Sequence, residues 1–285
     1  MKRQRYVAPA REAVDPAVFA APPLGAWSEY AGLLRGNDWP TIDALNSQRR
    51  HDAMPCFAAQ DRALLDDGLH YEQRIAERGV VATRESNWHD LFNALVWLRY
   101  PALKQALNRR QVEEIARMGP RERSRPQCAM THVDEAGVIV RVADPSLLAL
   151  WDAHDWHALF WRERAAWHDG RIDVAVFGHA LLEHALTPGK LLVGKALVVV
   201  TDAAASWTSI VAGLTARISR GELLTDPLEL RPLPLSGIPG WHPDNGSEAF
   251  HRSAPCYQPR REGRAYPPPL TLAAAAVPSV ERISG

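Results

Sequence analysis

Apolar positions recur at helical spacing after Trp88: Leu91, Leu95 and Leu98 fall on one stripe, and the stretch to Arg99 reads as an amphipathic helix. Ser86 or Asn87 supplies its N-cap, because a short side-chain oxygen accepts the orphan backbone N–H groups. Asp90 falls in the first turn, where the helix dipole favours a negative charge. Pro101 stops this helix at Tyr100 and opens a second one that runs to about Arg117, before Gly119-Pro120. Thr131–Val142 reads as a hairpin, with Asp134-Glu135-Ala136-Gly137 as its turn and the β-branched run Val138–Val142 as one arm. Asp144-Pro145 starts a helix carrying Leu147, Leu148, Leu150 and Trp151. Asp155 caps another, with Trp156, Leu159, Phe160, Glu163 and Trp167 on one face.

Ile172–Phe177 is predicted as a short strand, followed by Gly178 and a helix over His179–Leu186 that Thr187-Pro188-Gly189 breaks. Lys195–Thr201 is a second buried strand, and Ser206–Ile218 a further helix. This alternation predicts a mixed α/β (α+β) protein: a small, mostly buried sheet with helices packed on it. Residues 230–260 are punctuated by Pro and Gly (Pro232-Leu233-Pro234-Leu235, Ile238-Pro239-Gly240-Trp241) and are expected as a loop laid over the surface. Residues 1–40 are expected as an irregular N-terminal arm wrapped over the molecule, 41–260 as a single globular domain, and 261–285 as a disordered tail rich in Pro and Ala. No internal repeat is visible.

Composition narrows the classes of function. The 285 residues carry 33 Lys+Arg against 33 Asp+Glu, so no basic excess points to nucleic acid or to an acidic membrane. A net charge of zero gives little colloidal repulsion, which is compatible with a homo-oligomer. Cys56, Cys128 and Cys256 are odd in number and far apart, which fits neither a zinc knuckle nor a disulfide framework and suits a reducing, cytoplasmic setting. Met1-Lys2-Arg3-Gln4-Arg5 resembles the start of a signal peptide, but Arg11, Glu12, Asp15, Pro9 and Pro16 interrupt the apolar stretch that should follow. The longest apolar run, around Leu197–Val200, is too short to span a bilayer. Ten tryptophans, many at helical spacing, read as core or as an aromatic-lined cleft.

Three strings together resemble a bacterial family catalogued as domain of unknown function 3025: Glu85-Ser86-Asn87-Trp88-His89-Asp90-Leu91-Phe92-Asn93-Ala94-Leu95, Phe177-Gly178-His179-Ala180-Leu181-Leu182-Glu183, and Pro232-Leu233-Pro234-Leu235 through Pro239-Gly240-Trp241. The resemblance covers roughly residues 40–260 and implies a bacterial source. It brings no activity, cofactor or catalytic residue with it.

Two histidine–acid clusters carry the candidate chemistry. His179 and Glu183 share one helix face, just past the carboxyl end of a strand, a common ligand position in α/β sheets. His184 is five residues on and points elsewhere. The spelling misses both His-Glu-x-x-His and His-x-x-Glu-His, the known zinc helices. The structural alternative is a core or capping histidine with Glu183 as its i+4 partner. His89 and Asp90 sit about 100° apart on their helix. With Asn87, Trp88 and Asn93 they read as a polar substrate pocket at a helix start, or as elaborate capping. If the two helix starts meet, His89, Asp90, His179 and Glu183 would hold a divalent metal or run general acid–base catalysis on a hydrolysable bond. A separation beyond roughly 12 Å would exclude a shared metal, whose ligands lie about 2 Å from it. His132, Lys195 and Asp202 are further candidate members.

The dinucleotide fingerprint, the phosphate loop and the nucleophile elbow are missing; Gly194-Lys195 is followed by Ala196. The basic run Arg121–Arg125 reads as a solvated loop. A hydrolase-like enzyme is therefore the leading expectation. The alternative is a non-catalytic binding or scaffold protein that uses its Trp-rich faces, with Trp241 and the Pro/Gly segment as a substrate or partner surface.

Overall fold

The computed structural model describes residues 6–119 and 122–272. In chain order its principal elements begin with β1 (Cys56–Ala59), α1 (Tyr71–Arg78), β2 (Val80–Thr83), α2 (Trp88–Arg99), α3 (Pro101–Met118) and α4 (Arg125–Ala136). They continue with β3 (Gly137–Val142), α5 (Ser146–Ala153), β4 (Ile172–Val176), α6 (His179–His184), β5 (Val193–Val200), α7 (Trp207–Ser219), β6 (Arg231–Pro234) and β7 (Leu270–Thr271). Helices and sheets mix along the chain, and the fold is α+β. Among the described residues, no helix is long and apolar enough to cross a membrane.

The main sheet has the order β4-β3-β5-β6, and β7 pairs with the far end of β5. The two predicted strands β4 and β5 are not neighbours. β3 lies between them, antiparallel to β4 (Val140 opposite Val174) and parallel to β5 (Val140 opposite Val198). Val138, Ile139, Val140 and Val142 are at most 1% exposed, so the centre of the sheet is covered on both faces. The outer edge of β4 is blunted: the Asp173 carboxylate accepts the backbone N–H of Val174 at 2.8 Å.

The expected hairpin over Thr131–Val142 is absent. Ser124 and Gln127 form a capping box, Pro126 follows in the first turn, and α4 runs through Asp134 and Glu135 to Ala136 before the chain passes directly into β3. The β-branched run was read correctly as a strand, but its partners are distant strands rather than a hairpin mate. The Pro/Gly segment also contains an edge strand. Leu235 N–H donates to Leu192 O at 2.9 Å, and alternate residues of β6 face β5, so Pro232 and Pro234 occupy positions that need no donor.

The expected disordered tail lies partly within the described residues. Arg264 donates to the carbonyl of Leu228 at 2.6 Å, and β7 adds to the sheet beside Val199 and Val200. Residues 273–285 lie outside the described residues. The segment before residue 40 is mostly short helical turns, and it inserts Phe19, Leu24, Trp27 and Leu34 into the common core. Of the basic run, Arg121 lies outside the described residues, and Arg125 forks onto Asp226, with NH2 at 2.7 Å from Oδ1.

α2 lies at the centre. From Leu91 to Leu98 every residue is buried, because Phe92, Ala94, Val96 and Trp97 add apolar surface all round to the predicted stripe. α6 packs against both α2 and α4. Two glycines allow that approach. Phe177 and Gly178 both donate to the carbonyl of Gly137, at 3.0 and 2.8 Å. A Cβ on Gly178 would stand 2.4 Å from the backbone N of Gly137 and 2.6 Å from Ala136. The start of α6 is thereby seated on the junction between α4 and β3.

Candidate metal centre

Three helix ends converge at this seat. Asn87 caps α2 by accepting the Asp90 N–H at 3.0 Å, which fixes the first turn and turns His89 outward toward α6. His179 opens α6 and is 3% exposed. Glu135 stands at the end of α4, with a side chain 44% exposed. Nε2 of His89 and Nε2 of His179 lie 3.0 Å apart. Oε2 of Glu135 lies 3.6 Å from the His179 nitrogen and 4.0 Å from the His89 nitrogen. A triangle with these sides has a point about 2.1 Å from all three atoms, which is the bond length of Zn²⁺ to imidazole nitrogen and carboxylate oxygen. These three residues form the group whose geometry could hold a metal ion among the described residues.

The outer nitrogens of both rings face carboxylates. Nδ1 of His89 donates to Oε2 of Glu183 at 3.0 Å, so that in the neutral ring Nε2 carries the lone pair. Nδ1 of His179 is buried without a hydrogen-bond partner, and Oδ2 of Asp134 lies 4.0 Å from it. A proton on that nitrogen faces a carboxylate, whereas a lone pair there would face another negative charge. With both rings neutral and their Nδ1 protons facing the carboxylates, two lone pairs stand 3.0 Å apart, and either a proton on His89 or a cation between the rings satisfies them.

Asp134 is itself held. Lys104, 3% exposed, places Nζ 2.5 Å from Asp134 Oδ1 and 2.9 Å from Asn93 Oδ1, and Asn93 donates to the Tyr71 hydroxyl at 2.9 Å. Burial pushes the His179 imidazole down to about 3, so it is neutral, the ligand form, at physiological pH. The hydrogen bond to Glu183 raises His89, and burial raises Glu135. Burial would raise Asp134 as well, but the Lys104 ammonium outweighs it, and its carboxyl sits below the usual range.

The sequence pairing of His89 with His179 thus matches a spatial pairing, across 90 residues. The other expected members fall differently. Asp90 is turned away from the cluster: its carboxylate accepts Arg84 N at 2.6 Å and clasps the Arg84 guanidinium at 2.7 and 3.0 Å. Glu183 stands behind His89 rather than in the ligand triangle. Asn87 is the cap. Trp88 is core, stacked on Phe92 with Nε1 donating to Pro9 O. Asn93 belongs to the buried network around Lys104. Trp241 lies elsewhere, in the wall of a separate cavity.

His132, Lys195 and Asp202 stand outside the ligand triangle. His184 meets Tyr6 edge to face, with ring centroids 4.3 Å apart. Glu135 and Asp134 were missed because the hairpin reading made them part of a turn. The Ser124-Arg125-Pro126-Gln127 capping box was the signal that could have placed them on a helix. The larger cavities do not touch the ligand triangle. A small cavity behind Asp134 is lined also by Tyr71, Glu72, Trp97 and Lys104.

Fold and site together define an α+β protein with a histidine–carboxylate cluster at the meeting of three helices. Residues 56–261 match the family model described as "Protein of unknown function (DUF3025)", and the chain belongs to that family. No curated protein and no solved structure matches the chain.

Proposed function

We propose that this protein is a metal-dependent enzyme of the hydrolase type, with one divalent ion, zinc by ligand chemistry, bound by His89, His179 and Glu135. The observation that carries the reading is the convergence of two imidazole Nε2 atoms at 3.0 Å with Glu135 Oε2 beside them, while Glu183 and Asp134 stand behind the rings. Carboxylates in that position fix the tautomer and raise ligand basicity, and they accompany metal-bound histidines generally. Three protein ligands leave a fourth position, the pattern of catalytic rather than structural zinc. His89 and Glu135 are partly exposed, so that position opens toward solvent. A water bound there would be acidified to a pKa of about 7 and would attack an acyl or phosphoryl centre. Three cysteines that pair with nothing suit the bacterial cytoplasm as its setting.

The test is elemental analysis of protein purified without chelator, followed by hydrolysis of a panel of nitrophenyl esters and phosphates. About one zinc per chain is expected, lost in His89→Ala, His179→Ala and Glu135→Ala and kept in Asp90→Asn, with hydrolysis abolished by chelator and restored by zinc. Absence of stoichiometric metal, together with a melting temperature unmoved by added zinc, would sink the proposal.

A further inference from the structure

We propose that a second site, separate from the histidine cluster, binds a small organic anion with an apolar or aromatic body. A cavity of about 570 Å³ opens where the N-terminal arm, the loop after α6 and the Pro/Gly segment come together. Its volume falls in the range of small-molecule sites. Pro22, Pro23 and Leu192 give it apolar walls, and Trp241 contributes an aromatic surface.

Arg164 and Lys190 reach the same space, and among the described residues neither forms an ion pair. The Arg164 guanidinium is fixed from one side only: NH1 donates to the Asn245 carbonyl at 3.1 Å, and the group lies 5.5 Å from the Trp161 ring centre. The Lys190 ammonium lies over the Tyr6 ring at 4.6 Å. Both cations keep donors free. The one carboxylate in the wall, Asp15, is engaged by the backbone N–H of Ala17 at 2.9 Å. Two cations against one carboxylate leave the cavity wall with a net positive charge, which selects an anion.

The wall is preorganised. Asn245, 2% exposed, donates to the carbonyls of Ser236 and Ile238 at 2.9 and 2.6 Å and accepts the Gly240 N–H at 3.2 Å. Gly240 takes φ +80°, which permits the turn that presents Trp241. Little ordering is then left to oppose binding. The site lies past the C-terminal end of α6, whereas the histidine cluster lies at its start. Tyr6 links the two regions by donating to the Glu183 carbonyl at 3.2 Å and pairing with Thr187 Oγ1 at 3.0 Å. The proposal does not depend on a bound metal.

The test titrates anilinonaphthalene sulfonate, an anion on an aromatic body, into the full chain stripped of metal, with fluorescence as the readout. Saturable one-to-one binding is expected. The uncharged analogue phenylnaphthylamine should bind at least about tenfold more weakly, the loss of one charge-assisted contact. Arg164→Ala/Lys190→Ala should weaken the sulfonate by at least about tenfold while the circular dichroism spectrum is unchanged. If the double variant fails to fold, Lys190→Glu serves, since Lys190 holds no main-chain group; the same loss is expected. Absence of saturable binding, equal affinity for the neutral analogue, or wild-type affinity in the folded charge variants overturns the proposal. The last result would place the dye outside this cavity.

Discussion

Replacing Lys104 by Met tests the buried network behind the histidine cluster. Lys104 is 3% exposed, and its ammonium holds Asp134 Oδ1 at 2.5 Å and Asn93 Oδ1 at 2.9 Å while lying 5.2 Å from the Trp97 ring centre. Met conserves the stem and its packing but removes the charge. Asp134, whose side chain is 24% exposed, then lacks its counter-charge; breaking a fully buried pair costs about 3–5 kcal/mol, which this exposure reduces to about 2–3 kcal/mol. That is a large share of the total stability of an ordinary domain, about 5–15 kcal/mol.

Urea unfolding at pH 7, followed by circular dichroism, measures the loss. Lys104→Met/Asp134→Leu, which replaces both partners with apolar groups, should recover most of it, because no unpaired charge is left. The pH dependence gives an independent check. With Lys104 present, the Asp134 carboxyl is held low, so its contribution is present above the unfolded pKa and lost as pH falls through the folded one. In the variant, burial raises that carboxyl instead, so the deficit should shrink as the solution is acidified from neutral toward pH about 5, where the folded state takes up the proton. A single-variant cost below about 1 kcal/mol, or a double variant as unstable as the single, would refute the reasoning.

Gly178→Ala would drive a Cβ to 2.4 Å from the Gly137 backbone nitrogen, so α6 must lift from α4; a loss of at least about 2 kcal/mol and a fall in zinc affinity are expected, and a cost under 1 kcal/mol with metal binding intact would contradict this account of the seat. Glu72, half-buried as a residue but with its carboxylate turned onto the Asn108 amide at 2.6 Å, is raised by burial to about 7. Because the folded form keeps its proton longer than the unfolded chain, the wild type loses up to about 1.4 kcal/mol of stability per pH unit between pH about 4.5 and 7. Glu72→Gln should therefore gain on the wild type as unfolding is repeated at pH 8 instead of pH 5, and an equal difference at both pH values would count against it.

The residues around each helix start carried their own signals, and those were readable without a fold. Asn87 caps α2, Ser206 caps α7, and Pro101 opens α3, because each acts on backbone groups within three or four residues. The same locality made the reading fail at α4. A β-branched run after Asp-Glu-Ala-Gly has the composition of a hairpin, and only the capping box upstream spoke for a helix. That error hid Asp134 and Glu135. His89 and His179 were legible as chemistry, but their meeting was not, since no local rule connects positions 90 residues apart. Tertiary structure decided it through the close approach of Gly178 to Gly137, which sets α6 against both α2 and α4. It also decided which carboxylates serve. Asp90, adjacent in sequence to His89, is drawn off by Arg84, while Glu135 from a third helix faces both rings, because ligand geometry depends on side-chain direction in space and not on spacing along one strand of text.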